Sequence, residues 1–338
     1  MHSIGADLHK KTIRLHVVDP GRRRLAAKTL WCSDPQAVAT WLAGFRPFQL
    51  VVEATSSFEW FLELVEPLAE RVVLAHPGKL RIIAESTRKS DKVDAQVLAE
   101  FLALDMIPPA HRPTPRQRAH RRLVRQRYYL RKRMTSVKNR LRRILLDYNW
   151  ECPDLFSARC RREGRQWPAN VSQTDRFVLE QLWREQDFIA HQTEEINQAL
   201  REFAASAPIP EAQARALLHT IPGVGEVTVE AFLSEIGDVR RFGSQKQVAA
   251  YVGLAPGQRE SAGKTKELNI THRGSRVMRW ALNQASWQLV RRNLRWRHIF
   301  EGLAQRRGKK KAITAISRRL LCMMTSMVTR GQAYRSAA

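Results

Sequence analysis

The sequence predicts an α/β domain with a mixed sheet, followed by a largely helical remainder. Three observations carry that expectation. Short β-branched runs alternate with helical patterns over roughly the first hundred residues. No acidic residue occurs between 106 and 146, while Arg and Lys crowd positions 112–143 over a seven-residue apolar period. Beyond Ala207 the pattern is helical and punctuated by glycine turns. The expected domains are 1–108, a basic helical arm over 109–207, and a C-terminal helical domain over 208–338.

Residues 3–8 and 12–18 read as two short strands joined by a polar turn, and residues 24–31 as a third. Asp34-Pro35 supplies an N-cap and a first-turn proline for a helix running to Phe45. Residues 49–54 form a buried β-branched strand, 57–69 a helix, and 71–75 another strand. A helix opens at Asp91, with Val93, Val97, Leu98 and Phe101 as its apolar stripe.

In the arm, Leu123, Leu130, Val137 and Ile144 recur every seven residues, with Met134 and Leu141 between them, giving a coiled-coil-like helix. Leu182, Ile189, Ile196 and Phe203 form a second series, expected to pair antiparallel with the first across residues 152–170. Residues 207–210 read as a linker. Ile221-Pro222-Gly223-Val224-Gly225 then enters a helix over 226–236 and resembles the hairpin of a helix-hairpin-helix element, where backbone amides can hold a phosphate. A helix over 244–252, a polar loop over 255–274 and further helices complete the chain.

The chain has 338 residues, with 58 Lys and Arg against 32 Asp and Glu, a formal charge of +26. That excess points to a polyanionic partner, and nucleic acid is favoured. No apolar run approaches the roughly 20 residues of a membrane span, so no membrane role is expected. The start lacks a signal-peptide pattern. Cys32, Cys152, Cys160 and Cys322 are scattered, which indicates neither a zinc site nor a disulfide framework and makes a cytoplasmic location the expectation. The unbroken positive charge of the arm favours phosphate binding, with Arg121, Arg122, Arg125, Arg131, Lys132 and Lys138 as candidate contacts. A solvated basic face is the structural alternative. Trp60, Trp280 and Trp287 read as core residues.

Four acids carry the candidate chemistry. Asp7 lies between Ala6 and Leu8 near the end of the first strand, where a buried, unpaired carboxylate is costly. Glu53 ends the run Leu50-Val51-Val52 at the carboxyl edge of the sheet, where α/β sites open. Asp91 and Asp94 share a face of the next helix, although acids at a helix start also serve as caps. Four converging carboxylates need hard cations to stay ionised, and Mg²⁺ with oxygen ligands meets that need. Paired ions of this kind serve phosphoryl transfer. The arrangement is ribonuclease-H-like, with the order of acids found in RuvC-type enzymes.

Over nearly its whole length the chain resembles the DEDD transposases of bacterial insertion sequences. These are serine-dependent recombinases guided by a bridge RNA, and the Piv DNA invertases are among their relatives. The residues that carry the resemblance are Gly5-Ala6-Asp7, Glu53-Ala54-Thr55, Asp91-Lys92-Val93-Asp94-Ala95 and Leu98-Ala99-Glu100. In the C-terminal half they are Ile221-Pro222-Gly223-Val224-Gly225, Phe242, positions 249–256 and Glu260-Ser261. Ser56 and Ala262 depart from the glycines usual at those places.

The resemblance implies that the acids hold Mg²⁺ and that Ser261 attacks a DNA phosphate, leaving a phosphoserine link before strand exchange. It implies an element junction and a target DNA as partners, a noncoding guide RNA, and a dimer or tetramer, with the sequence leaving open whether subunits share the site. It also implies a bacterial, nucleoid-associated protein. Arg259 and Lys264 flank Ser261 and suit phosphate contact. The alternatives are a Piv-type site-specific invertase, a RuvC-like junction nuclease with no use for Ser261, and a non-catalytic nucleic-acid-binding protein.

Overall fold

The computed structural model describes residues 1–54, 57–83, 91–152, 154–157, 167–261 and 264–335. The chain forms two compact units, Met1–Arg112 and Pro113–Ala338.

In the first unit, β1 (His2–Leu8), β2 (Thr12–Val18), β3 (Arg24–Trp31), β4 (Phe48–Glu53) and β5 (Arg71–Ala75) form one sheet in the order β3-β2-β1-β4-β5. The β1–β2 and β2–β3 pairs are antiparallel, and β1–β4 and β4–β5 are parallel. This mixed sheet is consistent with the ribonuclease-H-like expectation. Helix α1 (Pro35–Ala43) starts as expected, with the Asp34 carboxylate accepting from Ala37 N at 2.9 Å, but Gly44 ends it before Phe45. Helix α2 (Glu59–Val65) is shorter than the expected 57–69, because Pro67 has no N–H to continue the helical hydrogen bonds past Glu66. Helix α3 is Pro77–Ile83 and α4 is Asp91–Ala103.

Strand alternation divides the first core in two. Ile4, Ala6, Leu8, Leu50 and Val52 face one cluster with Val38 and Phe61. Val51 and Val73 face the other, packed against Leu98 and Leu102 of α4.

The second unit is organised by α5 (Pro115–Leu146) and α6 (Gln173–Ala205). Thr114 and Ser172 cap them through Gln117 N at 3.2 Å and Asp175 N at 3.1 Å. Arg127 Nε donates to Asn197 Oδ1 at 2.7 Å, Arg133 pairs with Glu185, and Tyr148 bonds to Asp175. Contact positions that rise on one helix and fall on the other make the pair antiparallel. Leu130, Val137, Leu141 and Leu145 meet Leu179, Leu182, Trp183 and Ile189 in a shared core. Upstream, the buried position is Val124 and not the expected Leu123, because that part of α5 turns toward a second core with α8 (Glu226–Ile236) and α10 (Arg276–Arg292).

The expected linker at 207–210 is instead a tight joint. Helix α7 (Ile209–His219) begins at once, with Pro208 as N-cap and Pro210 in its first turn, where a missing N–H costs nothing. Helix α9 (Gln245–Val252), α11 (Leu294–Arg307) and α12 (Lys309–Arg330) complete the bundle. The expected polar loop over 255–274 contains a β-hairpin, β6 (Pro256–Ser261) with β7 (Lys264–Ile270). Its strands lack the apolar alternation by which a strand is usually recognised.

Candidate active site and nucleic-acid contacts

Three structural facts position the acids of the first unit. The β1–β4 register pairs Ala6 with Val52, so the next residues, Asp7 and Glu53, lie level on adjacent parallel strands. Ala6 and Val52 face the first cluster, so by alternation Asp7 and Glu53 share the opposite face, the one α4 covers. Helix α4 crosses β1 at Gly5, where an added Cβ would lie 2.0 Å from Ala95 O.

The direction of α4 follows from an ion pair. Asp105, just past its end, meets Arg71 at the start of β5 at 2.9 Å. The helix therefore ends beside the amino ends of the parallel strands and begins beside their carboxyl ends. Its first turn carries Asp91 and Asp94, so both lie at the sheet edge that Asp7 and Glu53 occupy. The side chain of Asp94 is exposed, and that of Asp91 lies outside what is described. The Asp7 side chain is only 15% exposed, and its Oδ2 is 3.0 Å from His9 Nε2. Among the described residues no group of three His, Cys, Asp or Glu side chains closes on a common point that would hold a metal ion. Asp7 and Glu53, the two that share a face, nonetheless offer carboxylate oxygens, hard donors that suit Mg²⁺.

Ser261 ends β6 in the second unit, opposite Lys264 across the hairpin. The side chains of Ser261, Arg259 and Lys264 lie outside the described residues.

The basic helix α5 divides into committed and exposed cations. Arg121 donates to Ser234 O and Glu235 O, both at 2.8 Å, and to Tyr251 Oη at 3.1 Å. It thus satisfies carbonyls in the last turn of α8. Arg125 grips Glu235, itself 3% exposed, through bonds of 2.8 and 3.0 Å. Those bonds outweigh desolvation and raise the Arg125 pKa. Arg131 lies 4.3 Å over the Trp280 ring and Lys138 4.7 Å over Phe156. Arg122 and Lys132 are exposed.

At the glycine turn, Gly223 has φ +83° and packs against α10, where a Cβ would meet Gln288 Cβ at 2.9 Å. Gly225 is the N-cap of α8, with open space around it and Glu226 in the first turn behind it.

The sequence reading missed a buried polar network. Glu230 accepts from Arg215 Nε at 2.7 Å and Nη2 at 3.0 Å, and its Oε2 lies 2.7 Å from His120 Nε2. Burial pushes the Glu230 carboxyl up, but the hydrogen bonds from His120 and Arg215 outweigh it and hold the pKa at about 2. Arg116 joins Glu211 at 2.7 Å and stacks 4.0 Å over Phe203. These partners are scattered along the chain and leave no local motif.

Comparison with known proteins adds a further observation. A DEDD-type family model described as a transposase matches residues 4–150, and one described as the transposase IS116/IS110/IS902 family matches residues 215–301. The chain is 25% identical to the transposase for insertion sequence element IS1111A of Coxiella burnetii, over 99% of this chain and 92% of that protein. It is 26% identical to the transposase for insertion sequence element IS1328 of Yersinia enterocolitica, over 84% and 82%. It is also 25% identical to a pilin gene-inverting protein of Moraxella lacunata, over 84% and 81%.

Proposed function

Because this chain belongs to the IS116/IS110/IS902 transposase family, we propose that it cuts and rejoins DNA at an insertion-sequence junction, with Asp7, Glu53, Asp91 and Asp94 as its acid site and Ser261 as its nucleophile. The chain is a DNA-processing enzyme, and domains of its DEDD type generally depend on divalent metal. One observation carries the reading: Asp7 and Glu53 lie level on parallel strands, at the edge where the Asp91 and Asp94 turn begins.

These four residues would hold Mg²⁺, which when bound supplies neutralising charge at a phosphodiester. The residues themselves do the rest. The β1–β4 register sets the spacing of Asp7 and Glu53, and Gly5 lets α4 bring its first turn to the same edge. The Ser261 hydroxyl forms an Oγ–P bond as a P–O bond to the sugar breaks, and its proton passes through a neighbouring base to the departing oxygen, which leaves as a sugar hydroxyl. The resulting phosphoserine link conserves the energy needed for rejoining. Guidance by a noncoding RNA is part of this reading, with Arg122 and Lys132 on α5 as exposed phosphate contacts.

The test is a denaturing gel of labelled junction DNA with protein, co-expressed RNA and Mg²⁺, comparing wild type with Ser261→Ala and Asp94→Asn. A protease-sensitive protein–DNA adduct lost in both variants is the expected result. Free cleaved DNA persisting in Ser261→Ala would establish water as the nucleophile and overturn the serine step. Mixing the two inactive variants restores activity if serine and acids come from different subunits of an oligomer.

The Moraxella relative favours a second reading, site-specific inversion by the same chemistry. Wild-type protein that inverts a segment between paired sites without co-purifying RNA would favour it.

A further inference from the structure

The second unit holds a cavity that the proposed reaction does not use. It lies among α5, α6, α7, α8 and α10, with Val124, Leu200 and Val277 among its apolar walls. Its volume is about 110 Å³. Water occupies about 30 Å³ per molecule in the liquid, so several waters or one small ion fit inside.

Its polar wall has more donors than acceptors. Arg127 Nε donates to Asn197 Oδ1 at 2.7 Å, and among the described residues no carboxylate lies within ion-pair distance of its guanidinium. Burial lowers its pKa, with Arg131 adding to the effect, against the weaker pull of Glu226 and Glu194. Arg215 gives Nε and Nη2 to Glu230, while its Nη1 is buried with no acceptor. Trp280 Nε1 is likewise buried, and neither nitrogen has an acceptor among the described residues. The carboxylate of Glu230 is already bonded to Arg215 and His120, and Glu226, on the cavity wall, is exposed to screening water.

Buried donors without acceptors are costly, and a half-buried cation with no carboxylate in contact adds to that cost. A single occupant that carries negative charge on several oxygens corrects both. We propose that this cavity binds a phosphate-sized oxyanion, with Arg127 as its counter-charge and Arg215 Nη1 and Trp280 Nε1 as further donors. The oxyanion is either a phosphate of a bound nucleic-acid strand or free phosphate. This site lies wholly within the second unit and stands independently of the acid site.

Calorimetric titration of the full chain with inorganic phosphate, in low-salt chloride buffer, tests the proposal. Saturable one-to-one binding is expected. Trp280→Phe changes no charge and removes one donor, so it is expected to weaken binding about fivefold, the worth of one hydrogen bond. Arg127→Gln is expected to weaken it more than tenfold, with Arg127→Lys between them, and thermal melts check that each variant is folded. Arg297→Gln removes an exposed cation on α11 and is expected to leave phosphate affinity unchanged.

Absence of saturable binding overturns the proposal. So does equal weakening by Arg297→Gln and Arg127→Gln with no effect of Trp280→Phe, which would mark phosphate as a surface counterion. Titration with a short DNA duplex separates the two sources. If Trp280→Phe also weakens DNA binding and phosphate competes with DNA, the occupant is a strand phosphate. If DNA affinity is unmoved, it is free phosphate.

Discussion

Gly5→Ala probes the arrangement on which the proposed active site depends. An added methyl would lie 2.0 Å from Ala95 O and 2.6 Å from Ala99 N, both backbone atoms that no rotamer change can move aside. Ordinary contact begins near 3.4 Å, so the shortfall of 1.4 Å (3.4 less 2.0) has to be met by retreat of α4 from β1. That retreat loosens Leu98 and Leu102 against Val51 and Val73. Overpacking costs about 1–3 kcal/mol, and an immovable neighbour puts this site at the upper end. Alanine restricts the unfolded chain and returns about 0.4–1 kcal/mol. The net loss is about 2 kcal/mol, roughly thirtyfold in the folding equilibrium. Urea unfolding measures it directly. The same shift moves Asp91 and Asp94 away from Asp7 and Glu53, and a misplacement near 1 Å costs a reaction on the order of a hundredfold. Cleavage by folded Gly5→Ala protein is therefore expected to fall far more than its stability does. Wild-type stability and wild-type cleavage together would refute the packing of α4 on β1 and the site built from it.

The remaining predictions concern the second unit. Arg121→Ala strands the Glu235 carbonyl, while Ser234 O keeps its bond from Gln117 Nε2 at 2.9 Å, and is expected to cost about 1–2 kcal/mol in thermal unfolding. Arg122→Ala is expected to stay within about 0.5 kcal/mol of wild type, while weakening nucleic-acid binding and lowering its salt slope by about one; the reverse pattern would mean that the roles are misassigned. Glu230 is held at about pKa 2, below its ordinary 4.5, so its stabilisation is present above pH 4.5 and is lost as pH falls toward 2. The amount is about 3 kcal/mol, and Glu230→Gln should flatten stability across that window as well as lower it at neutral pH. Gly223→Ala, at φ +83° and against α10, should cost about 1–2 kcal/mol, whereas Gly225→Ala should cost less than about 1. Weakened DNA binding by folded Gly225→Ala would mark close approach of a phosphate to that turn; unchanged binding would count against it.

The first unit was largely legible in the sequence because its signals are local. β-Branched runs placed β4 and β5, Asp34-Pro35 placed the start of α1, and Asp7 and Glu53 stood out as acids beside apolar strand residues. The level placement of Asp7 with Glu53 was not legible, since register is a property of two strands. Helix ends were misjudged where one residue overrides the pattern, as at Gly44 and Pro67. The β6–β7 hairpin was missed because it has no apolar face to announce it. Trp280 was read as a core residue, and only the folded chain reveals that its indole nitrogen lacks an acceptor.

Net charge located a partner class but not a contact surface, and α5 shows why. Its segment contains no acid, yet Glu185, Glu211, Glu230 and Glu235 fold back from distant helices to meet Arg133, Arg116, His120 and Arg125. An acid-free stretch of sequence is therefore not an acid-free surface. Much of what reads as a phosphate-tracking helix is instead the set of pins that hold α6, α7 and α8 in place. Residues 291–338 show the opposite case, with thirteen Lys and Arg against the single acid Glu301. Leaving aside Arg307, none of those thirteen has an ion-pair partner among the described residues. Arginine serves two purposes in this fold, and a carboxylate or carbonyl within reach decides between them: paired, even when exposed as Arg125 and Arg133 are, it secures helices, and unpaired, it retains the charge that a polyanion meets. The electrostatic footprint of the second unit is accordingly set by the cations that folding leaves unpaired, which lie on α11 and α12 as well as on the helix with the most basic sequence.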